Sequence, residues 1–342
     1  MDTVEPPQAG RKASNWLLPA LGYSISLASL WWAFARFPLA LLGDHLRTMD
    51  WWWLAFAVAI ELLSFFLDAW RWRELLKPAV EAPYGAAVQS VYACLFANDL
   101  LPARAGEAVR CFLLSWKCDI HLPLVITSSV ILRVMDGIWV VLFYFATFWV
   151  VEGVGAVTSV MVVYAAVVAG LALLLLFALF YKAHAHHYVS NSGWAARFAH
   201  FLDEIHKLGN WRELRVVMLS SGLYWAMQIF AVWAVTRADN FYFNFGQMAF
   251  LLIVKNVGTM VPTAPAAVGA FQASAIYALR HFFTEAPDAK ILAELLFGFL
   301  TLPGLVGGAI AVAMAGFNLK DLVRHAQEAH EKHKAEAQAG KP

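Results

Sequence analysis

Between Asn98 and Arg110 the chain reads NDLLPARAGEAVR, which sets Arg104, Glu107 and Arg110 within seven residues in an otherwise apolar setting. Two arginines and a carboxylate so placed can bind an anion and a cation together. A guanidinium presents a planar fork of donors that matches phosphate. Glu107 either meets a cationic group such as an amine, or serves only as a favourable charge in the first turn of a helix. Pro102 and Gly106 interrupt the helix here, because proline removes a backbone donor and glycine admits backbone angles closed to other residues. In hydrocarbon such a break survives where protein buries it or where it lines a wet cavity, and ionisable groups there mark a functional site.

Further charges lie inside apolar runs. Glu61 and Asp68 stand seven apart and share a helical face, with Arg71 and Arg73 just beyond them. Arg133 and Asp136 are three apart and can pair on one face. Lys255 and Glu294 are the corresponding charges later in the chain. A plainer reading makes Arg133 with Asp136, and Glu107 with Arg110, ion pairs that only hold helices together. We assign substrate binding to Asn98, Pro102, Arg104, Gly106, Glu107, Arg110, Arg133, Asp136 and Arg71, and in the later segment to Asn256, Pro265, Gly269 and Gln272. Glu61, Asp68, Lys255 and Glu294 are candidates for ion or proton coupling. We expect no catalytic residue, metal or cofactor.

The elements that must position these residues are membrane helices. Of 342 residues, 61% are hydrophobic and only 14% charged, against roughly 25% charged in soluble domains. Unbroken runs at 16–36, 51–70, 122–150, 156–181, 213–236 and 289–317 are each long enough to cross the roughly 30 Å hydrocarbon layer. The first follows Arg11 and Lys12 as a signal peptide would, yet it lacks a small-residue cleavage site and is retained as a span. Two other segments, 85–117 and 245–283, break at Leu101–Gly106 and Val261–Gly269, each reading as two half-length helices joined by a turn.

The two breaks align. Pro102-Ala103-Arg104-Ala105-Gly106 lies over Pro265-Ala266-Ala267-Val268-Gly269, and an asparagine, Asn98 or Asn256, precedes each. Proline and glycine also recur as simple kinks in membrane helices. Here, however, each break follows two clean spans and precedes one. The expected architecture is therefore all-α and polytopic, a single transmembrane domain over 16–317 made of repeats at 16–150 and 156–317. Each repeat holds three spanning helices and a broken, re-entrant hairpin. An odd number of spans inverts the second repeat, and interrupted helices at matching places in two halves point to a transporter's binding site. Residues 246–262 and 266–283 are each almost long enough to cross, so eight or more spans is the competing count.

Basic residues set the orientation. With residues 1–15 in the cytoplasm, Arg71, Arg73, Lys77, Lys117, Lys182, Arg197, Lys207, Arg212, Arg215, Lys320 and Arg324 fall inside. Arg36, Arg47, Arg237, Arg280 and Lys290 fall on the other side. Both termini, including the tail 318–342, are then cytoplasmic. Helices starting at about Gly106 and about Ala266 would point unpaired N–H groups and positive dipole ends at the turns, which makes an anion site suited to a headgroup phosphate.

The run Leu67 to Leu76 (LDAWRWRELL), the Asn98–Arg110 motif, Leu132-Arg133-Val134-Met135-Asp136 and the Pro262–Gly269 turn together resemble the flippase-like transmembrane domain of lysylphosphatidylglycerol synthases, over about residues 15–317. The resemblance implies movement of an anionic or aminoacylated phospholipid, or a lipid-linked phosphate, between leaflets of a bacterial cytoplasmic membrane. It implies Arg104, Glu107, Arg110, Arg133 and Asp136 as the polar path. The family's second turn is usually glycine-rich after the proline, whereas Ala266 and Ala267 stand here. With only 318–342 after the last span, we expect no aminoacyl-transferase domain and no lipid aminoacylation by this chain.

A membrane phospholipid is the expected partner. A homo-oligomer and a separate lipid-modifying enzyme are partners the sequence leaves open, and nucleic acid is not expected. The competing functions are a membrane-embedded lipid-phosphate enzyme and a non-transporting lipid-binding assembly protein. No phosphate-binding loop is present, so any energy source would be an ion gradient or the lipid gradient itself, and no Ser-His set favours an enzyme. Cys94, Cys111 and Cys118 have no metal-finger spacing and read as free thiols. His184, His186 and His187 read as solvated, and 195–215 as an amphipathic surface helix. Trp31, Trp32, Trp51, Trp52, Trp53, Trp70 and Trp72, at span ends, read as interfacial anchors.

Overall fold

The computed structural model describes residues 39–100, 106–147, 155–180, 204–260, 265–282 and 286–314, together with Ser24, Trp31 and Val151. The expected first span at 16–36, apart from Ser24 and Trp31, the tail, the histidine cluster and residues 195–203 of the amphipathic segment lie outside the described residues. So do Pro102 and Arg104.

Helices dominate because hydrocarbon offers backbone groups no water, and a helix satisfies them internally. In order they are α1 (Leu39–Thr48), α2 (Trp51–Leu76), α3 (Tyr84–Leu100), α4 (Gly106–Cys118), α5 (Leu122–Thr147), α6 (Gly155–Phe180), α7 (Trp211–Ala238), α8 (Phe245–Thr259), a 3₁₀ turn (Pro265–Ala267), α9 (Ala270–Leu279) and α10 (Ala286–Met314). Among the described residues, five helices have the length and hydropathy to cross a membrane: α2, α5, α6, α7 and α10. These match five of the six unbroken runs. Each broken segment is, as expected, two shorter helices, α3 with α4 and α8 with α9.

Helix starts follow local chemistry. Asp50 caps α2 by accepting from the Trp52 N–H at 2.9 Å, and Asn244 and Gln247 form a reciprocal box at the start of α8. The second hairpin departs from expectation at its turn. Its second helix begins at Ala270, not near Ala266, because Ala266 and Ala267 take φ of 56° and 50° and Gly269 takes 86°. A left-handed backbone cannot continue a right-handed helix.

At the centre, α2 and α7 run antiparallel. The Asp50 N–H donates to the Ala238 carbonyl at 2.8 Å, Gln228 to Ser64 at 2.7 Å, and Arg71 to Ser221 at 2.7 Å, so α2 advances as α7 recedes. Around this seam the contacts come in matched pairs. α3 packs on α10 as α8 packs on α5, α2 on α3 as α7 on α8, α4 on α5 as α9 on α10, and α2 on α10 as α7 on α5. Close α3–α10 packing depends on Gly307 and Gly308, whose positions lie against Tyr92 and Phe96. By contrast α6 exposes Val160, Val163, Leu173 and Phe177 and lies at the periphery.

Candidate functional site

Six ionisable side chains from three helices meet where α2, α4 and α5 converge. α2 supplies Asp68 and Arg71, α4 Glu107 and Arg110, α5 Arg133 and Asp136. Both members of each set are three apart, so each helix turns its two charges to one face. Three carboxylates and three guanidinium groups balance.

Arg71 is the hub. Its Nε donates to Asp68 Oδ1 at 2.8 Å, its Nη2 to Asp136 Oδ2 at 3.0 Å and its Nη1 to Asp136 Oδ1 and, at 2.7 Å, to Ser221 Oγ. Tyr224 of α7 covers the guanidinium face at 4.4 Å. Arg71 is 1% exposed. A buried charge is tolerated when paired and fully hydrogen-bonded, and Arg71 meets that condition. Its sequence assignment as a substrate contact therefore sits beside a structural role, since its donors already have protein partners.

The pairings differ from the simplest reading of sequence spacing. Glu107 does not take Arg110 as its ion-pair partner. It bonds to Arg133 Nη2 and accepts from Ser129 Oγ at 3.2 Å. Arg110 crosses to α2, where Nη1 donates to Asp68 Oδ2 at 3.3 Å and the guanidinium stacks 4.0 Å above the Trp72 ring. Arg133 also reaches Asp136, at 3.3 Å, as its spacing predicts. A pair four helical positions or fewer apart is only one choice when a neighbouring helix offers a better angle.

Two features open this otherwise closed network. The Glu107–Arg133 pair is part-exposed, at 39% and 49% of its side-chain surfaces. Next to it Arg110 is 2% exposed, yet its Nε and Nη2 have no hydrogen-bond partner among the described residues. Close packing of α4 on α3 brings these groups together. Asn98 Oδ1 accepts from the Gly106 N–H at 3.0 Å, and the first turn of α4 then lies so close to α3 that a Cβ on Gly106 would come 2.2 Å from the Cys94 carbonyl oxygen.

The second hairpin gathers a sparser set. Gln272 accepts from the Gly269 N–H at 2.7 Å and donates to Glu294 Oε2 at 3.3 Å. Lys255 sits 5.4 Å over the Phe271 ring, at a small cavity also lined by Val232, Leu251, Ala275 and Leu296. Asn256 occupies the last turn of α8, near the break, and Pro265 opens the 3₁₀ turn. Glu61 is separate from the ionic cluster, buried near the α2–α7 seam. Of the coupling candidates Asp68 is the one with both oxygens bound, to Arg71 and Arg110.

Sequence reasoning missed several members. Trp72 was expected at the membrane interface with the other tryptophans. It is instead fully buried, donating Nε1–H to Ser128 Oγ at 2.9 Å and forming the platform for Arg110. The alternation of arginine and tryptophan from Arg71 to Arg73 was the available signal, since arginine favours aromatic faces. Ser221 and Tyr224 carried no signal, being common residues in a long apolar helix.

A family model described as the lysylphosphatidylglycerol synthase TM region matches residues 20–316. No curated protein and no solved structure matches the chain.

Proposed function

Because the chain belongs to the lysylphosphatidylglycerol synthase transmembrane-region family, we propose that it moves a phospholipid between membrane leaflets, the headgroup passing along the ionic cluster. The substrate is an anionic or aminoacylated phospholipid, or another lipid-linked phosphate. One observation carries the reading: buried Arg110 keeps two guanidinium nitrogens unpartnered beside the part-exposed Glu107–Arg133 pair. Leaving buried donors unmade costs about 1–3 kcal/mol. A phosphate offers paired oxygens to such a fork, and Glu107 offers a carboxylate to an amine carried on the same headgroup.

In this proposal the halves act as inverted repeats with re-entrant hairpins, and alternating access comes from rocking one half against the other. The antiparallel α2–α7 pair and the exchanged contacts support an axis lying in the membrane plane, because an axis along the normal would make corresponding helices parallel. The distribution of basic residues supports cytoplasmic termini in this reading.

The test is leaflet exchange of a panel of headgroup-labelled lipids in vesicles carrying the purified protein. Headgroup-selective exchange is expected. In Glu107→Gln and Arg110→Gln it should fall about ten- to a hundredfold, the worth of a charge-assisted hydrogen bond. Unchanged exchange in both variants, shown folded, would remove these residues from the path. Lipid that co-purifies tightly with wild-type protein but never exchanges would instead favour a binding role.

A further inference from the structure

Glu61 is 5% exposed, and its Oε2 has no hydrogen-bond partner among the described residues. The ionic cluster does not neutralise it, since that cluster's three carboxylates and three guanidinium groups already balance. Its position is distinctive. It lies on α2, the helix whose far end is locked by Asp68 and Arg71, and it faces the antiparallel seam with α7.

The groups around it come from five other helices. Gln228 of α7 is its hydrogen-bonding neighbour, and the same amide donates to Ser64 Oγ, one turn along α2, at 2.7 Å. Tyr224 of α7 and Tyr92 of α3 are within electrostatic reach. Lys255 of α8 is the basic group whose field reaches it. Arg133 and Asp136 of α5 are engaged with each other, Glu107 and Arg71 farther along α2. From α10, Gly304 faces Phe65, one turn from Glu61, while Glu294 is bound to Gln272 of the second hairpin. A carboxylate therefore stands between the locked first half and a lysine of the second half.

We propose that Glu61 is a proton-binding site that couples lipid movement to a proton gradient. The proton adds to the free carboxylate oxygen from one aqueous side, leaving a neutral acid. It departs to the other side after the halves have rocked about the α2–α7 seam, restoring the carboxylate. Lys255 is the charge against which the ionised form is held. An ionised carboxylate in hydrocarbon is costly when its partner is distant, so the two charge states favour different spacings of the halves. The coupling rests on the proposed lipid movement; the proton site does not.

Two measurements separate these. Infrared difference spectra between acidic and alkaline buffer should show a protonated-carboxyl band in wild type that is missing in Glu61→Gln and shifted in Glu61→Asp. Identical spectra in wild type and Glu61→Gln would overturn the proton site whatever the transport result. In vesicles, an imposed gradient of one pH unit should hold about a tenfold leaflet asymmetry of labelled lipid, for one proton per lipid. Glu61→Gln should still exchange lipid but hold no asymmetry. Wild-type exchange that ignores the gradient would overturn the coupling while leaving the proposed function intact, whereas no wild-type exchange would count against that function.

Discussion

The two broken segments satisfy a glycine N–H beside the break in the same way and differ in charge. In each, an amide side chain accepts from the N–H of the glycine at the break, Asn98 for Gly106 and Gln272 for Gly269. The amide comes from before the break in one and after it in the other. A buried turn must satisfy its backbone donors, and a neutral amide suffices. Charge is therefore a separate layer. The first hairpin adds Glu107 and Arg110 to four charges on α2 and α5, whereas the second adds Lys255 and leans on Glu294. The scaffold needs amides, and the ions beside the first hairpin are there to hold helices or to meet a ligand.

That contrast is broken most directly at Arg71. Its guanidinium links α2, α5 and α7, so Arg71→Met leaves Asp68 and Asp136 buried without their shared cation. Removing one partner from a buried ion network costs about 3–5 kcal/mol, and a large fall in unfolding temperature in detergent is expected. On the second hairpin, Glu294→Gln keeps a hydrogen-bonding group opposite Gln272 and should cost under about 1 kcal/mol. Equal losses at the two positions would mean that the halves share one electrostatic design after all.

A smaller effect separates the turns sterically. A methyl group on Gly106 would lie 2.2 Å from a backbone oxygen, which cannot swing aside, while one on Gly258 of α8 would lie 2.5 Å from the Ser274 side chain. Gly106→Ala should cost about 1–3 kcal/mol through displacement of α4 from α3. Because that shift moves Glu107 and Arg110, lipid exchange should fall with it. Gly258→Ala meets Ser274 Cβ, which the α9 backbone holds in place, so α8 must also shift, and only the wider 2.5 Å approach makes its loss of stability the lesser one.

Much of this organisation was legible because membranes leave few options. Long apolar runs can only be helices, so α2, α5, α6, α7 and α10 were placed from hydropathy, and Pro102, Gly106, Pro265 and Gly269 announced both breaks. Within one helix, spacing also worked: Arg133 does reach Asp136. It failed across helices. The choice of Asp68 for Arg110 and of Arg133 for Glu107 depends on how α4 is tilted between α2 and α5, which no local period records. Trp72 was misplaced for a related reason, since an interfacial tryptophan and one buried under an arginine look alike until the neighbouring helix is in position.

The finest distinction lies in the second turn, where Ala266 and Ala267 hold φ of 56° and 50°. A side chain in the left-handed region costs roughly 1–2 kcal/mol per residue, because Cβ crowds the following carbonyl. Glycine would escape that cost but would lose about 0.4–1 kcal/mol through its freer unfolded chain. Ala266→Gly and Ala267→Gly should therefore each raise stability slightly, by under about 1 kcal/mol. Ala270→Gly is the control. That residue begins α9 in ordinary helical backbone, where the same exchange should lower stability by about 1 kcal/mol or less. Opposite signs within residues 266–270 would establish that the turn is strained by its alanines, whereas a loss at all three positions would mean that the turn adopts a relaxed backbone and that the contrast between the two hairpins is one of charge alone.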